Sequence, residues 1–191
     1  MTNAAYPSFE GTSGGTGDNN NEKAMGARWH SVFGRGFGLG TSLYRDVYTI
    51  KGVDSRGLVY EIIHESDAFV DRIRQVYQIH DPRADTIRAF HAHRVLHDWF
   101  HIARGSAIFC LVDSRLDGAT RDAAVRLVLT DRKPQLLVVP PGVYHGWMSL
   151  QPDTILTSIA SDEYDRVNPD EDRVSPDHFN HLFGRNPWEM D

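Results

Sequence analysis

Residues 88–105 read RAFHAHRVLHDWFHIARG and carry four of the chain's ten histidines. In an extended chain, residues two apart share a face. The segments TIRAFHAH (86–93) and WFHIA (99–103), parted by a short break, therefore read as two strands of a sheet. His91 and His93 fall on one side of the first. In the second, Asp98, Phe100 and Ile102 share a face, and its two apolar members direct it toward the core. His97, Trp99 and His101 share the other face, expected to lie outward, with Trp99 and His101 suited to a subunit contact. The cluster divides into an inward trio, His91, His93 and Asp98, and an outward histidine pair read as surface residues.

The same short-strand pattern extends in both directions. Further β-rich runs are VYTI (47–50), LVYEII (58–63), VYQI (76–79), SAIFCLV (106–112), AVRLVL (124–129), QLLVV (135–139) and ILTSIA (155–160). Turn pairs such as RG, DG and PPG separate them, which predicts an all-β antiparallel sandwich or barrel. SDAFVDRIRQ (66–75) has a Ser66 cap and helical apolar spacing and predicts a helix. After Asp162 the chain is polar and proline-punctuated, a surface loop with a short terminal helix. Residues 1–26, rich in Gly and Asn, read as a flexible tail, which leaves 27–191 as one domain. GRGFGLG (34–40) leads toward a strand instead of out of a strand into a helix, so it reads as a connector and not a dinucleotide loop.

Composition bounds the function class. The 191-residue chain is 40% apolar and 24% charged, ordinary for a soluble domain. Its net charge of -6 argues against nucleic acid or an anionic membrane as partner. The single cysteine, Cys110 in AIFCLV, reads as a buried strand residue and permits no disulfide within the chain, which fits a reducing compartment. No signal-peptide pattern and no membrane-length apolar run are present, so a cytoplasmic protein is expected.

A third histidine enters from VVPPGVYHGW (138–147), where Pro140, Gly142 and His145 form P-x-G-x-x-H, a tight turn feeding the next strand. Two inward imidazoles facing a third suit proton transfer, one as base and another as its positioning partner. With Asp98 they equally supply three nitrogens and a carboxylate for a divalent transition metal. The spacing H-x-H-x4-D-x6-G followed by P-x-G-x-x-H resembles the two motif halves of the cupin superfamily, with aspartate where metal-binding members usually have glutamate. That resemblance implies a jelly-roll antiparallel β-barrel.

Other motifs narrow it. Asp54-Ser55-Arg56-Gly57-Leu58-Val59-Tyr60-Glu61 resembles the D-x-R-G-x-[FY]-x-E opening of the dTDP-4-dehydrorhamnose 3,5-epimerase family. Arg88-Ala89-Phe90-His91 is similar to its R-G-x-H, and 103–115 to its R-G-x6-V-D-x-R. PPGVYHGW and the Asp162–Arg173 stretch resemble its last two motifs, so the likeness covers 54–176. By that resemblance His91 is the general base, Arg56 and Arg88 clamp the nucleotide diphosphate, and Glu61 and Gln75 lie near the nucleotide base. Planar guanidinium forks suit such anions. The chain also departs from the pattern. The family lysine position falls on Asp98, the general-acid tyrosine position on Ser158, and the motif glycine on Ala89. A serine hydroxyl is a far poorer proton donor than a phenol. His91-Ala92-His93 instead resembles the H-A-H of the related sugar-nucleotide 3,4-ketoisomerases, where both histidines move protons without metal.

The expectation is a cofactor-free epimerase or isomerase of a nucleotide-linked 4-keto-6-deoxy sugar, with His91, His93 and His145 in the chemistry. The alternatives are a metal-dependent cupin using His91, His93, Asp98 and His145, and a non-catalytic sugar-nucleotide-binding protein. A homodimer paired through an edge sheet is expected as well.

Overall fold

The computed structural model describes residues 30–33, 43–46, 48–49, 59–116 and 118–190. The tail 1–26, the GRGFGLG connector and Arg56 lie outside the described residues. The strands are β1 (His30–Ser31), β2 (Leu43–Asp46), β3 (Tyr48–Thr49), β4 (Tyr60–Glu61), β5 (Gln75–Asp81), β6 (Ile87–Ala92) and β7 (Asp98–Arg104). They continue with β8 (Ser106–Asp113), β9 (Ala124–Thr130), β10 (Gln135–Val139), β11 (Val143–Ser149), β12 (Thr154–Ala160) and β13 (Asp172–Arg173). A short helix α1 (Asn180–Phe183) follows, as expected of the terminal segment.

One sheet runs β1-β2-β10-β7-β12-β5 and a second β13-β6-β11-β8-β9, with β3-β4 as a separate pair. The pairings are antiparallel. Phe100, Ile102, Leu137, Val139 and Leu156 of the first sheet meet Phe109, Leu111, Leu129, Val143 and Trp147 of the second in one buried cluster. This is the two-sheet core of a jelly roll, the all-β cupin architecture. A large aliphatic or aromatic side chain so buried contributes about 1.5–3 kcal/mol.

Both outer faces are covered too, and here two expectations fail. Trp99 is 1% exposed and His101 5%, so neither is an outward surface residue or a subunit contact. The segment predicted as helix 66–75 forms only a 3-10 turn, Val70–Arg72, and Gln75 already opens β5. Its apolar residues are used differently: Phe69 stacks on Trp99 at 4.9 Å, with Ile62, Ile63 and Ile73 packed around them. The helical spacing at Phe69 and Ile73 serves to drape an irregular strap over the sheet, where tertiary burial outweighs local propensity. On the same face His101 Nδ1–H donates to the Gln135 carbonyl at 3.2 Å, and burial lowers the ring's proton affinity. Burial and the Arg72 charge hold His97 at about 4. Both are neutral structural histidines.

The pairing of β6 with β11 is irregular. His145 opposes His91 and Trp147 opposes Arg88, so three steps on β6 face two on β11. This bulge keeps Arg88 on the interior side together with His91, its guanidinium 5.8 Å from the Trp147 ring centroid. Gly146 permits it, because a Cβ there would sit 2.2 Å from Ala89 Cβ and 2.8 Å from Ala89 Cα. Gly146→Ala is expected to lower stability by about 1–3 kcal/mol, read as a lower urea midpoint at unchanged m-value. An unchanged midpoint would show that the bulge has slack.

Candidate active site

The three inward histidines converge from two adjacent strands. His91 and His145 are cross-strand partners with ring centroids 4.1 Å apart, and His93 lies 5.6 Å from each. One nitrogen from each ring lies within 4.8 Å of the others. Asp98 reaches them from β7 in the opposite sheet, 3% exposed. Its Oδ2 is 3.2 Å from His93 Nε2 and 3.4 Å from His145 Nε2, the second an ion-pair distance without regular hydrogen-bond geometry. The inward face read from the alternation is thus one site, assembled across the barrel.

The remaining ring nitrogens are held by backbone. His145 Nδ1–H donates to the Val143 carbonyl at 3.0 Å, and His93 Nδ1–H donates to the Asp170 carbonyl. Both nitrogens of His93 therefore face oxygen atoms, an arrangement that favours the protonated ring. Asp170 also binds the turn after β6 through its carboxylate, accepting the backbone N–H groups of Arg94 at 3.0 Å, Val95 at 2.8 Å and Leu96 at 3.0 Å. Burial opposes its charge, but those three donors outweigh burial and hold the Asp170 carboxyl at about 2. One residue thereby fixes both the turn and the His93 ring.

The electrostatics separate the histidines. Burial, then the neighbouring His145 and His93, lowers His91 well below the ordinary imidazole value. Burial also opposes protonation of His93, but the Asp98 hydrogen bond and charge and the Asp170 carbonyl outweigh it and raise that ring. For Asp98 the burial cost is exceeded by the facing imidazoles of His145 and His93, and its carboxyl is lowered. His91, with its proton affinity lowered, therefore sits beside His93, whose affinity is raised by the facing Asp98 carboxylate, and environments that push neighbouring groups apart in this way assign acid and base roles.

The other candidates are placed unevenly. Arg88 donates from Nε at 3.1 Å and Nη2 at 2.9 Å to one oxygen of fully buried Asp81, while its own side chain stays 46% exposed. Gln75, at the end of β5, accepts the Tyr164 backbone N–H on Oε1 at 3.0 Å. Glu61 lies on the separate β3-β4 pair, 3.3 Å from His64 Nε2, and is not brought to the histidines by any contact among the described residues. Ser158 is buried on the interior face, in register with Phe100, whose ring lies 5.5 Å from that of His145. Sequence reasoning overlooked Asp170 and Glu171 as individual residues. Glu171 pairs with Arg173 at 2.8 Å, and Arg173 stands opposite His91 across β13. The tail motif flagged this region but could not show that it closes over the histidine strand.

Residues 46–178 match the family model described as dTDP-4-dehydrorhamnose 3,5-epimerase. The spore coat polysaccharide biosynthesis protein SpsL of Bacillus subtilis is 29% identical over 127 residues, 65% of this chain and 83% of that protein. The TDP-4-oxo-6-deoxy-alpha-D-glucose-3,4-oxoisomerase of Aneurinibacillus thermoaerophilus is 29% identical over 118 residues, 62% of this chain and 78% of that protein. The structure of a dTDP sugar isomerase from Desulfovibrio desulfuricans superposes with a TM-score of 0.67 at 14% identity, covering 78% of this chain and 92% of that one, which shows the shared fold.

Proposed function

The chain belongs to the dTDP-4-dehydrorhamnose 3,5-epimerase family, and from that premise we propose that it epimerises or isomerises a nucleotide-linked 4-keto-6-deoxy sugar by histidine-mediated proton transfer. The observation that carries the reading is the convergence of His91, His93 and His145, with the Asp98 carboxylate 3.2 Å from His93 and none on His91. A ketone acidifies the C–H bond beside it. His91, free of a proton at neutral pH, takes that proton, and its lowered affinity lets it give the proton up again. The enolate oxygen develops negative charge, which the His93 imidazolium stabilises in a water-poor site. His145 orients the base from across the strand pair.

Metal binding fits this arrangement less well. The three ligand nitrogens are close enough to converge on an ion. Yet His93 Nδ1 is bonded to the Asp170 carbonyl and its Nε2 faces the Asp98 carboxylate at 3.2 Å, an arrangement that favours a protonated ring over a metal ligand. The 3,4-oxoisomerase relative supports a TDP-linked substrate, and the exposed half of Arg88 supports its role at the diphosphate. Among the described residues no helix is long and apolar enough to cross a membrane.

The reading predicts a bell-shaped pH profile. His91 has a lowered proton affinity, so the acid limb should fall below the ordinary imidazole value of about 6.5. His93 has a raised one, so its charge persists above that value and is lost as pH rises further, giving an alkaline limb. A kcat/KM profile with a single inflection near 6.5 would contradict it. The function itself is tested by NMR of dTDP-4-keto-6-deoxy-glucose incubated with the protein. A new sugar isomer supports the reading, and an unchanged sugar with intact nucleotide binding replaces it with a binding protein.

A further inference from the structure

A base that forms an enolate leaves a carbanion-like carbon that must be reprotonated. The histidine wall lies on β6 and β11 in one sheet, so a donor for the other side of a bound sugar belongs to the facing sheet. There Ser158 occupies the central interior position on β12 with its Oγ buried and without a regular hydrogen-bond partner among the described residues. Directly opposite Ser158 on β5 stands Tyr77, and cross-strand partners share a face. The row thus runs Tyr77, Ser158, Phe100, with Asp98 two residues from Phe100 on the same face. The Tyr77 phenol lies against the Ser158 hydroxyl and feels the charges of Asp98 and Glu171. It is 40% exposed, so a small molecule entering between the sheets can reach it.

We propose that Tyr77 is the proton donor of the reaction, a phenol on β5 that performs the acid step for which Ser158 is unsuited. This rests on the proton-transfer reading above. The C–H bond beside the ketone breaks, its proton goes to His91, and its electron pair forms the enolate with the negative charge on oxygen. A new C–H bond then forms from the enolate carbon to the Tyr77 proton, the charge collapses back to the ketone, and a phenolate remains. Water reprotonates the phenolate and takes the proton from His91, so the enzyme is restored with no oxidant or co-reactant. Burial, chiefly, and the two carboxylates raise the phenol's proton affinity, so it is loaded with its proton at neutral pH. A donor on the wall facing the base delivers to the opposite face of the planar enolate.

The test is Tyr77→Phe, which keeps the ring and removes only the hydroxyl, assayed in D2O with dTDP-4-keto-6-deoxy-glucose. Product formation should fall by about 10²-fold or more, while deuterium still enters the position beside the ketone at close to the unsubstituted rate, because His91 continues to remove and return the proton. Product formation by Tyr77→Phe close to that of the unsubstituted protein would overturn the assignment. Loss of exchange together with product would overturn it too, by placing Tyr77 in substrate holding. No exchange by the unsubstituted protein would strike the parent reading itself and this inference with it.

Discussion

His91→Ala is expected to cut deuterium incorporation beside the substrate's keto group by about 10²–10⁴-fold. The protein should still fold and bind nucleotide. Three features single out this ring. It lies opposite His145 across β6 and β11, its proton affinity is lowered well below the ordinary imidazole value, and no backbone carbonyl or carboxylate occupies its nitrogens among the described contacts. The other two rings each donate Nδ1–H to a carbonyl and direct Nε2 toward Asp98. Geometry thus leaves His91 as the imidazole with a nitrogen available to the substrate. Exchange that persists at the original rate in His91→Ala would transfer the base role elsewhere.

The second large effect is expected from Asp98→Asn, and it bears on stability as well as rate. The Asp98 carboxyl is lowered in the folded protein, so its contribution is present above the unfolded value of about 3.9 and lost as pH falls through the folded one. His93 is raised, so its share is present below about 6.5 and lost as pH rises through its folded value. Between these limits the pair is fully formed. Removing one partner of a buried ion pair costs about 3–5 kcal/mol, and the lower end is expected because His93 can shed its proton. Urea unfolding at neutral pH should show that loss. The difference between the two proteins should narrow at alkaline pH, where His93 is neutral and the wild-type carboxylate is itself uncompensated. A pH-independent difference would mean that the pair is not ionic. The rate should fall too, because the charge that stabilises the enolate disappears.

Much of this was legible in residues 86–104, because period-two alternation survives wherever one face of a strand is buried. It placed Asp98, Phe100 and Ile102 inward and His91 with His93 on one face, while His145 was read from the separate turn motif at 140–145. It misread Trp99 and His101, since alternation tells two faces apart but not whether distant residues bury the second one, as the strap does at Trp99. The same strap defeated the helix reading of 66–75. Phe69 and Ile73 have helical spacing, yet they are positioned by contact with Trp99 and its neighbours. Arg88 and His91 are three apart and would face opposite ways in a regular strand. Only the bulge at Gly146, invisible without the partner strand, puts both inside. Tyr77 was hidden for a similar reason: its meaning depends on its register with Ser158, 81 positions along the chain.

The central claim is that these histidines move protons without a metal. The most direct measurement is solvent deuterium exchange into dTDP-4-keto-6-deoxy-glucose by protein dialysed against a chelator, with metal content read by elemental analysis. The account predicts exchange at the undialysed rate with far less than one metal per chain. Exchange lost on dialysis and restored by a divalent transition metal would contradict it.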